Sequence, residues 1–153
     1  MKSIKNFIQE KLFIRADNKK YNYHPKNNIE LTKIVAQLIK ERGKKGNLND
    51  IDTSNVKKMI DVFAWQDFDG DISDWDVSNV THFTRMFQNS TFTGKNSKLN
   101  GWDVSSGRIF TAMFDHSQFN NDISSWNSEY VASTNEMFRK CPIDNNYKPK
   151  FIK

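Results

Sequence analysis

Acidic residues are concentrated at one point of the sequence, where they could bind a hard metal ion. Asp-Phe-Asp-Gly-Asp at 67–71 alternates carboxylates beside a glycine, which is how calcium-binding loops begin. An EF-hand loop starting there would need a glycine at its sixth position and a glutamate at its twelfth. Ile72 and Ser78 occupy those positions. We therefore expect these carboxylates to form turns, and we expect no metal site.

The nucleophilic and titratable side chains show no catalytic arrangement. His24, His82 and His116 are scattered and lack zinc-site spacing, and Cys141 has no histidine at a phase that would activate it. Phosphate-binding glycine loops, the serine-hydrolase elbow and the metalloprotease motif are absent from the sequence. We therefore expect no catalytic residue, no cofactor and no enzymatic activity.

The sequence repeats itself, and the repeat must position any functional residue. Asp-Ile-Ser-Asp-Trp at 71–75 recurs as Asp-Ile-Ser-Ser-Trp at 122–126, with Lys-Leu-Asn-Gly-Trp at 98–102 between them and a degenerate first copy at 47–51. A first phenylalanine series has spacings of 24, 27 and 24 residues, and a second has spacings of 24 and 27. The first series is Phe63, Phe87, Phe114 and Phe138, and the second is Phe68, Phe92 and Phe119.

The apolar pattern changes within each copy. Trp75 and Val77 alternate as in a short strand, whereas Val80, Phe83 and Phe87 fall on one helical face. Such a unit cannot bury its apolar side alone, so the copies must stack. We predict an α/β fold, namely a short leucine-rich-repeat-like solenoid of about four 24–27-residue repeats with an N-terminal helical cap. Trp75, Trp102, Trp126 and the first phenylalanine series should be buried.

These repeats resemble the BspA-like leucine-rich repeats of bacterial surface proteins and lipoproteins. The match is carried by Trp75-Asp-Val-Ser-Asn-Val-Thr81, by Met86-Phe87 and by Phe119-Asn120, and it covers roughly residues 47–143. The resemblance implies a solenoid that contacts other proteins and has no catalytic residues to carry over. The sequence differs from exported family members because it has four copies and no export signal.

Residues 27–42 are predicted to form an amphipathic helix. Asn27 or Asn28 can cap its start, and Gly43 can end it. Because the first unit of a stack needs a cover, we expect this helix to cap the first copy; a partner-binding helix is the alternative. Its apolar stripe consists of Leu31, Ile34, Val35, Leu38 and Ile39.

A second amphipathic segment lies at residues 1–14. It resembles N-terminal segments of proteins from large tailed phages, some of which are targeting peptides that carry internal proteins into the phage head. The resemblance implies a docking role in a phage-encoded or virion-associated protein, and packing onto the cap helix is the alternative. The candidate docking residues are Ile4, Phe7, Ile8 and Leu12.

The charge is divided along the chain. Residues 1–48 carry 12 lysines and arginines against 4 acidic residues, residues 49–138 carry 6 against 13, and residues 139–153 carry 5 against 1. A uniformly basic nucleic-acid binder does not have this pattern. We divide the chain into an N-terminal helical segment and cap at 1–46, a BspA-like repeat solenoid at 47–143 and a basic tail at 144–153.

The predicted function is non-enzymatic binding of a protein partner, or a structural role, through the repeat surface. The alternatives are nucleic-acid or virion packing through the basic termini, and a bacterial surface adhesin. We expect no membrane span and no signal peptide, and hence a cytoplasmic or virion-associated protein. The expected partner face is small, polar and acidic, which favours a weak interface with a basic partner; the alternative is a stronger interface built by the loop insertion at 93–98. The expected partner face comprises Asp74, Asp76, Asn100, Asp103, Ser124 and Asn127.

Overall fold

The computed structural model describes residues 20–152. Helix α1 (Asn28–Arg42) comes first, and the rest of this range consists of turns with two short 3₁₀ helices, Leu99–Gly101 and Asn145–Tyr147. Within residues 20–152 no helix is long and apolar enough to cross a bilayer.

Helix α1 confirms the amphipathic helix that the sequence predicts. The Asn27 side chain accepts a hydrogen bond from the Glu30 amide at 3.0 Å, and Gly43 ends the helix with φ 79°, a conformation that glycine adopts without steric cost. The apolar stripe joins the hydrophobic core of the following segments. The helix therefore covers the start of the repeat region. Its fully buried residues are Leu31, Ile34, Val35 and Leu38.

Successive copies of the repeat lie side by side as four turn segments. We number these segments from first to fourth by Phe63, Phe87, Phe114 and Phe138. Isolated parallel bridges join equivalent residues of neighbouring segments, and no strand forms in the part of the chain that is described. These bridges include Lys58 to His82, His82 to Ile109 and Ile109 to Ser133, and two more join Asn47 to Asp71 and Tyr23 to Ile51.

The prediction of an α/β leucine-rich-repeat-like solenoid with about four 24–27-residue repeats is wrong. Such a solenoid has a β-strand in every repeat, whereas residues 20–152 contain one α-helix, isolated bridges and no sheet. Trp75 and Val77 are buried and Asp76 is exposed, but this alternation does not produce a strand. Residues 80–87, predicted as a short helix, form turns instead.

Backbone hydrogen bonds explain why residues 80–90 are not helical. In an α-helix every amide donates to the carbonyl four residues earlier. Here Met86 donates only three residues back, to Phe83 at 3.2 Å, and alternate amides donate instead to the next turn segment, 26 residues ahead. These inter-segment bonds measure 2.8–3.0 Å and run from Phe83 to Ile109, Arg85 to Thr111, Phe87 to Met113 and Asn89 to Asp115.

Left-handed backbone recurs twice in each turn segment. Arg85 has φ 52° and Asn89 has φ 53°, a region that ordinary L-residues seldom occupy. An α-helix cannot contain these conformations, and amide hydrogen bonds to the next segment hold Arg85 and Asn89 there. The equivalent left-handed residues are Asp61, Trp65, Ala112, His116, Glu136 and Lys140.

Stacked phenylalanines form the centre of the core, in the register that the sequence predicts. The rings of Phe63 and Phe87 are 5.2 Å apart and nearly parallel, as are those of Phe87 and Phe114. The stack ends at Phe138, 5.7 Å from Phe114. The predicted burial is confirmed except at Phe138, which is only partly buried. The confirmed residues are Phe63, Phe87, Phe114, Trp75, Trp102 and Trp126.

The tryptophans add a polar connection between segments. Each indole N–H donates to a backbone carbonyl of the preceding copy: Trp75 to Leu48 at 2.9 Å, Trp102 to Ile72 at 3.2 Å, and Trp126 to Leu99 at 2.6 Å. A buried indole needs such a partner, so the consensus tryptophan both fills the core and fixes the register of its segment.

The C-terminal residues complete one ring column. Phe83 stacks on Phe110 at 5.1 Å, but the equivalent position of the fourth segment is Thr134. Phe151 lies against Phe110 at 4.9 Å and supplies the missing ring. Part of the predicted basic tail therefore belongs to the core.

Candidate protein-binding groove

A surface groove of about 750 Å³ runs between the third and fourth copies of the repeat. One side begins at Trp102 and Asp103 and ends at Arg108, and the other includes Asn127 and Tyr130. We call this recess the Tyr130 groove.

The walls of the Tyr130 groove are held by one side-chain and one backbone hydrogen bond across the two copies. The Ser128 hydroxyl donates to the Gly107 carbonyl at 2.6 Å and is itself buried. The Ala132 amide donates to the Arg108 carbonyl at 2.7 Å. Because both bonds join one wall to the other, the groove is formed before any ligand arrives.

An aromatic and a cationic side chain lie together at the edge of this groove. Tyr130 is 63% exposed, and the Arg108 guanidinium carbon is 5.9 Å from the centre of its ring, within cation–π distance. Tyrosine and arginine are enriched among residues that dominate binding energies. Their exposed pairing beside a recess is a surface suited to a protein segment.

The groove also carries acidic groups. Asp103 and Glu129 line it and are exposed. Hydrogen bonds from Ser105 lower the pKa of the Asp103 carboxyl, so this carboxylate is ionised at neutral pH. Together with Arg108, these groups give the groove both signs of charge, with negative charge in excess.

The structure brings together only part of the predicted partner face. Asp103 and Asn127 line the Tyr130 groove, whereas four predicted residues do not. The exposed Asp76 accepts hydrogen bonds from Ser78, and the partly buried Ser124 donates to Asp122 at 2.7 Å. Turn formation therefore occupies some of the predicted binding groups. The four residues outside the groove are Asp74, Asp76, Asn100 and Ser124.

Sequence reasoning missed Tyr130 and Arg108, although a signal was present. Tyr130 occupies the repeat position that holds Asn55, Asn79 and Ser106 in the other copies. A large aromatic residue at a position otherwise reserved for small polar residues departs from the turn consensus. Such a departure indicates a residue that does something other than form the turn.

The candidate calcium carboxylates have protein partners. Asp67 accepts hydrogen bonds from Thr91 at 2.7 Å and is 2.8 Å from the Lys44 ammonium. Asp69 accepts from the amide and hydroxyl of Thr93, both at 2.8 Å. No group of three or more potential metal ligands occurs among residues 20–152. The candidate docking residues Ile4, Phe7, Ile8 and Leu12 lie outside the described residues.

A buried carboxylate joins three turn segments at a separate place. Only 1% of the Asp115 side chain is exposed, and it accepts hydrogen bonds from Gln88 at 2.8 Å and from Arg139 at 2.9 and 2.8 Å. The His116 ring nitrogen lies 2.7 Å away. The hydrogen bonds from Arg139 are the main reason why the pKa of Asp115 lies far below its usual value. Burial acts in the opposite direction and raises this pKa, but its effect is smaller.

Replacing Asp115 with asparagine should destabilise the fold at neutral pH by about 1.5–3 kcal/mol, the typical contribution of a hydrogen bond to a charged group. Because folding lowers this pKa, the stabilisation is present above about pH 4, the unfolded value, and is lost as the pH falls below it. Urea denaturation at several pH values measures both effects. The difference from the native sequence should shrink in acid, whereas the exposed Asp74→Asn control should change stability by less than about 0.5 kcal/mol.

The stacked turn segments and the Tyr130 groove define a repeat protein with a preformed surface recess. Residues 30–150 match the family described as "Mycoplasma protein of unknown function, DUF285", and the chain belongs to this family. No curated protein and no solved structure matched the chain.

Proposed function

We propose that the chain is a non-enzymatic protein-binding module that uses the Tyr130 groove. The observation that carries this proposal is the exposed Tyr130 ring beside Arg108 at the edge of a recess. A binding site of this type needs no catalytic group.

The groove favours a partner segment that combines an apolar or aromatic residue with a basic one. The apolar residue would lie on the Tyr130 ring, and the basic residue would pair with Asp103 or Glu129. The Arg108 guanidinium has several hydrogen-bond donors, so it can also bind a carbonyl or carboxylate of the same partner segment. Asp74 and Asp76 of the predicted acidic face are also exposed. They would attract further basic residues of the partner along the neighbouring copy.

Peptides selected from a random displayed library against the full chain test the groove directly. Tyr130→Ala should weaken the selected peptides by at least about tenfold, the size expected for truncating an aromatic anchor. Trp65→Ala is a matched control, because Trp65 is 76% exposed and lies in the first turn segment. Peptides that bind Tyr130→Ala unchanged would contradict the groove as the principal binding site.

Charge reversal at Asp74, Asp76 and Asp103 tests the acidic face. Replacing all three with lysine should slow association with a basic selected peptide, because long-range attraction is removed. For the same reason, added salt should no longer slow association as it does with the native sequence. Thermal unfolding should barely change. Stopped-flow association at two salt concentrations provides the measurement. An unchanged rate constant would show that the three aspartates do not contribute to association and would leave Tyr130 and Arg108 as the recognition residues.

The setting of this binding activity is part of the proposal. The likeness of the repeats to BspA-like repeat proteins favours protein contacts, and the amphipathic pattern at residues 1–14 favours a docking segment for a virion or another assembly. A nucleic-acid role through the basic termini would differ in its salt response, since phosphate binding weakens steeply as salt rises.

A further inference from the structure

We propose that the fourth turn segment is a binding edge that accepts one more turn segment from a partner repeat protein. The first three segments share a rule: alternate backbone amides donate to carbonyls of the following segment. In the third, Phe110, Ala112, Phe114 and His116 donate to Ser133, Asn135, Met137 and Arg139 at 2.8–2.9 Å. This inference concerns a surface separate from the Tyr130 groove.

The rule leaves donors without acceptors at the end of the stack. The equivalents of Ala112, Phe114 and His116 are Glu136, Phe138 and Lys140, and within residues 20–152 their amides have no hydrogen-bond acceptor. Glu136 and Lys140 have the same left-handed backbone as their counterparts. The edge therefore already has the conformation in which the earlier segments bind a neighbour.

Hydrogen-bond polarity excludes a symmetric pair of these edges. Two copies meeting at their fourth segments would place amide donors against amide donors, so no ladder could form between them. The opposite end of the stack is occupied by α1, where the Asn28 side chain donates to the Ile60 carbonyl at 3.1 Å. Ile60 is equivalent to Thr84, which accepts from Asp61 at 3.1 Å. The occupant is therefore a partner segment with free carbonyls at alternate residues.

Side chains at the edge specify which turn segment fits best. Phe138 is only partly buried, and the Lys148 ammonium lies 5.9 Å from the centre of its ring. A partner ring that displaces this flexible side chain would stack on Phe138 as Phe87 stacks on Phe63. Glu136 occupies the position of Asp61, whose carboxylate binds Arg85 through two bonds of 2.8 Å. Glu136 uses one oxygen for Arg139 and is about half exposed. A segment with an arginine two residues before a phenylalanine satisfies both positions.

The chain itself contains such a segment, at residues 80–92. A synthetic peptide of this sequence is the probe, and the protein is the isotope-labelled full chain observed by amide NMR. We expect the peptide to shift and protect from hydrogen exchange the amides of Glu136, Phe138 and Lys140. Tyr130→Ala protein should bind the peptide equally well, which separates this edge from the groove.

Peptide variants test the proposed register. Phe87→Ala in the peptide should weaken binding at least about tenfold, as loss of an aromatic anchor does, and Arg85→Ala should weaken it less. A scrambled peptide should leave the three amides unchanged. Exchange protection of these amides in the free protein would show that the edge is already covered and would overturn the proposal. So would equal binding of the scrambled or Phe87→Ala peptide, or no change at the three amides.

Discussion

Phe87→Ala should lower the free energy of unfolding by about 3–5 kcal/mol, the usual cost of truncating a buried phenylalanine. The Phe87 ring is fully buried between Phe63 and Phe114, each 5.2 Å away. It also lies 4.4 Å from Phe92. The left-handed backbone on both sides and the bonds to the next segment restrict collapse into the resulting cavity, so the cost should reach the upper part of this range.

Urea denaturation of the full chain measures this effect, with Trp65→Ala as the control. Trp65 is mostly exposed, so its truncation should change stability by less than about 0.5 kcal/mol. Small domains have total stabilities of about 5–15 kcal/mol, so this loss is a large share of the total and should lower the urea midpoint markedly. A loss below about 1 kcal/mol would mean that the phenylalanine stack does not hold the segments together.

Deleting residues 1–43 should have the largest effect, because it removes α1 from the end of the core. Leu31, Ile34, Val35 and Leu38 are fully buried, and each contributes about 1.5–3 kcal/mol by leaving water. The deletion also exposes the apolar surface beneath them. We expect a molten or aggregating protein that binds a hydrophobic dye and gives poorly dispersed amide signals.

A matched deletion of residues 1–14 controls for loss of chain length. It leaves α1 intact and should keep the melting temperature within a few degrees. A monomeric 44–153 fragment with a cooperative melting transition would contradict the role of α1 as the cover of the stack.

The parts of the fold that follow from local periodicity could be predicted from the sequence. Helix α1 has a cap, an apolar stripe and a terminating glycine within a short span, so the signals agree with one another. The phenylalanine columns follow from the 24- and 27-residue spacings, because only stacked copies bring such residues together. The burial of Phe87 and Trp102 could be predicted for the same reason.

The conformation within each turn segment could not be predicted in this way. Val80, Phe83 and Phe87 have the spacing of a helical face, but the same spacing also results when successive turns return the chain to one side. The choice depends on whether the Arg85 amide finds its acceptor locally or at Thr111. That acceptor is 26 residues away, beyond the range of any local pattern.

The candidate site was predicted in part for a related reason. Asp103 and Asn127 follow the consensus tryptophans, so the alternation of buried and exposed residues placed them at the surface. Tyr130 and Arg108 depend on how two copies approach each other, and Ser128 fixes that approach through bonds to Ser105 and Gly107. The repeat pattern therefore predicts which positions lie at the surface, and departures from the repeat consensus, such as Tyr130, indicate the candidate binding residues.

One set of inter-segment hydrogen bonds runs in the direction of protein synthesis, from each segment to the one made after it. Amides at Met59, Phe83 and Phe110 find their acceptors 23, 26 and 23 residues later in the chain. On a ribosome that adds about 5–20 residues per second, each segment would wait for its neighbour for about one to five seconds. Helix α1 is synthesised before the turn segments. The first segment can therefore pack on α1, and each later segment can pack on the segment made before it.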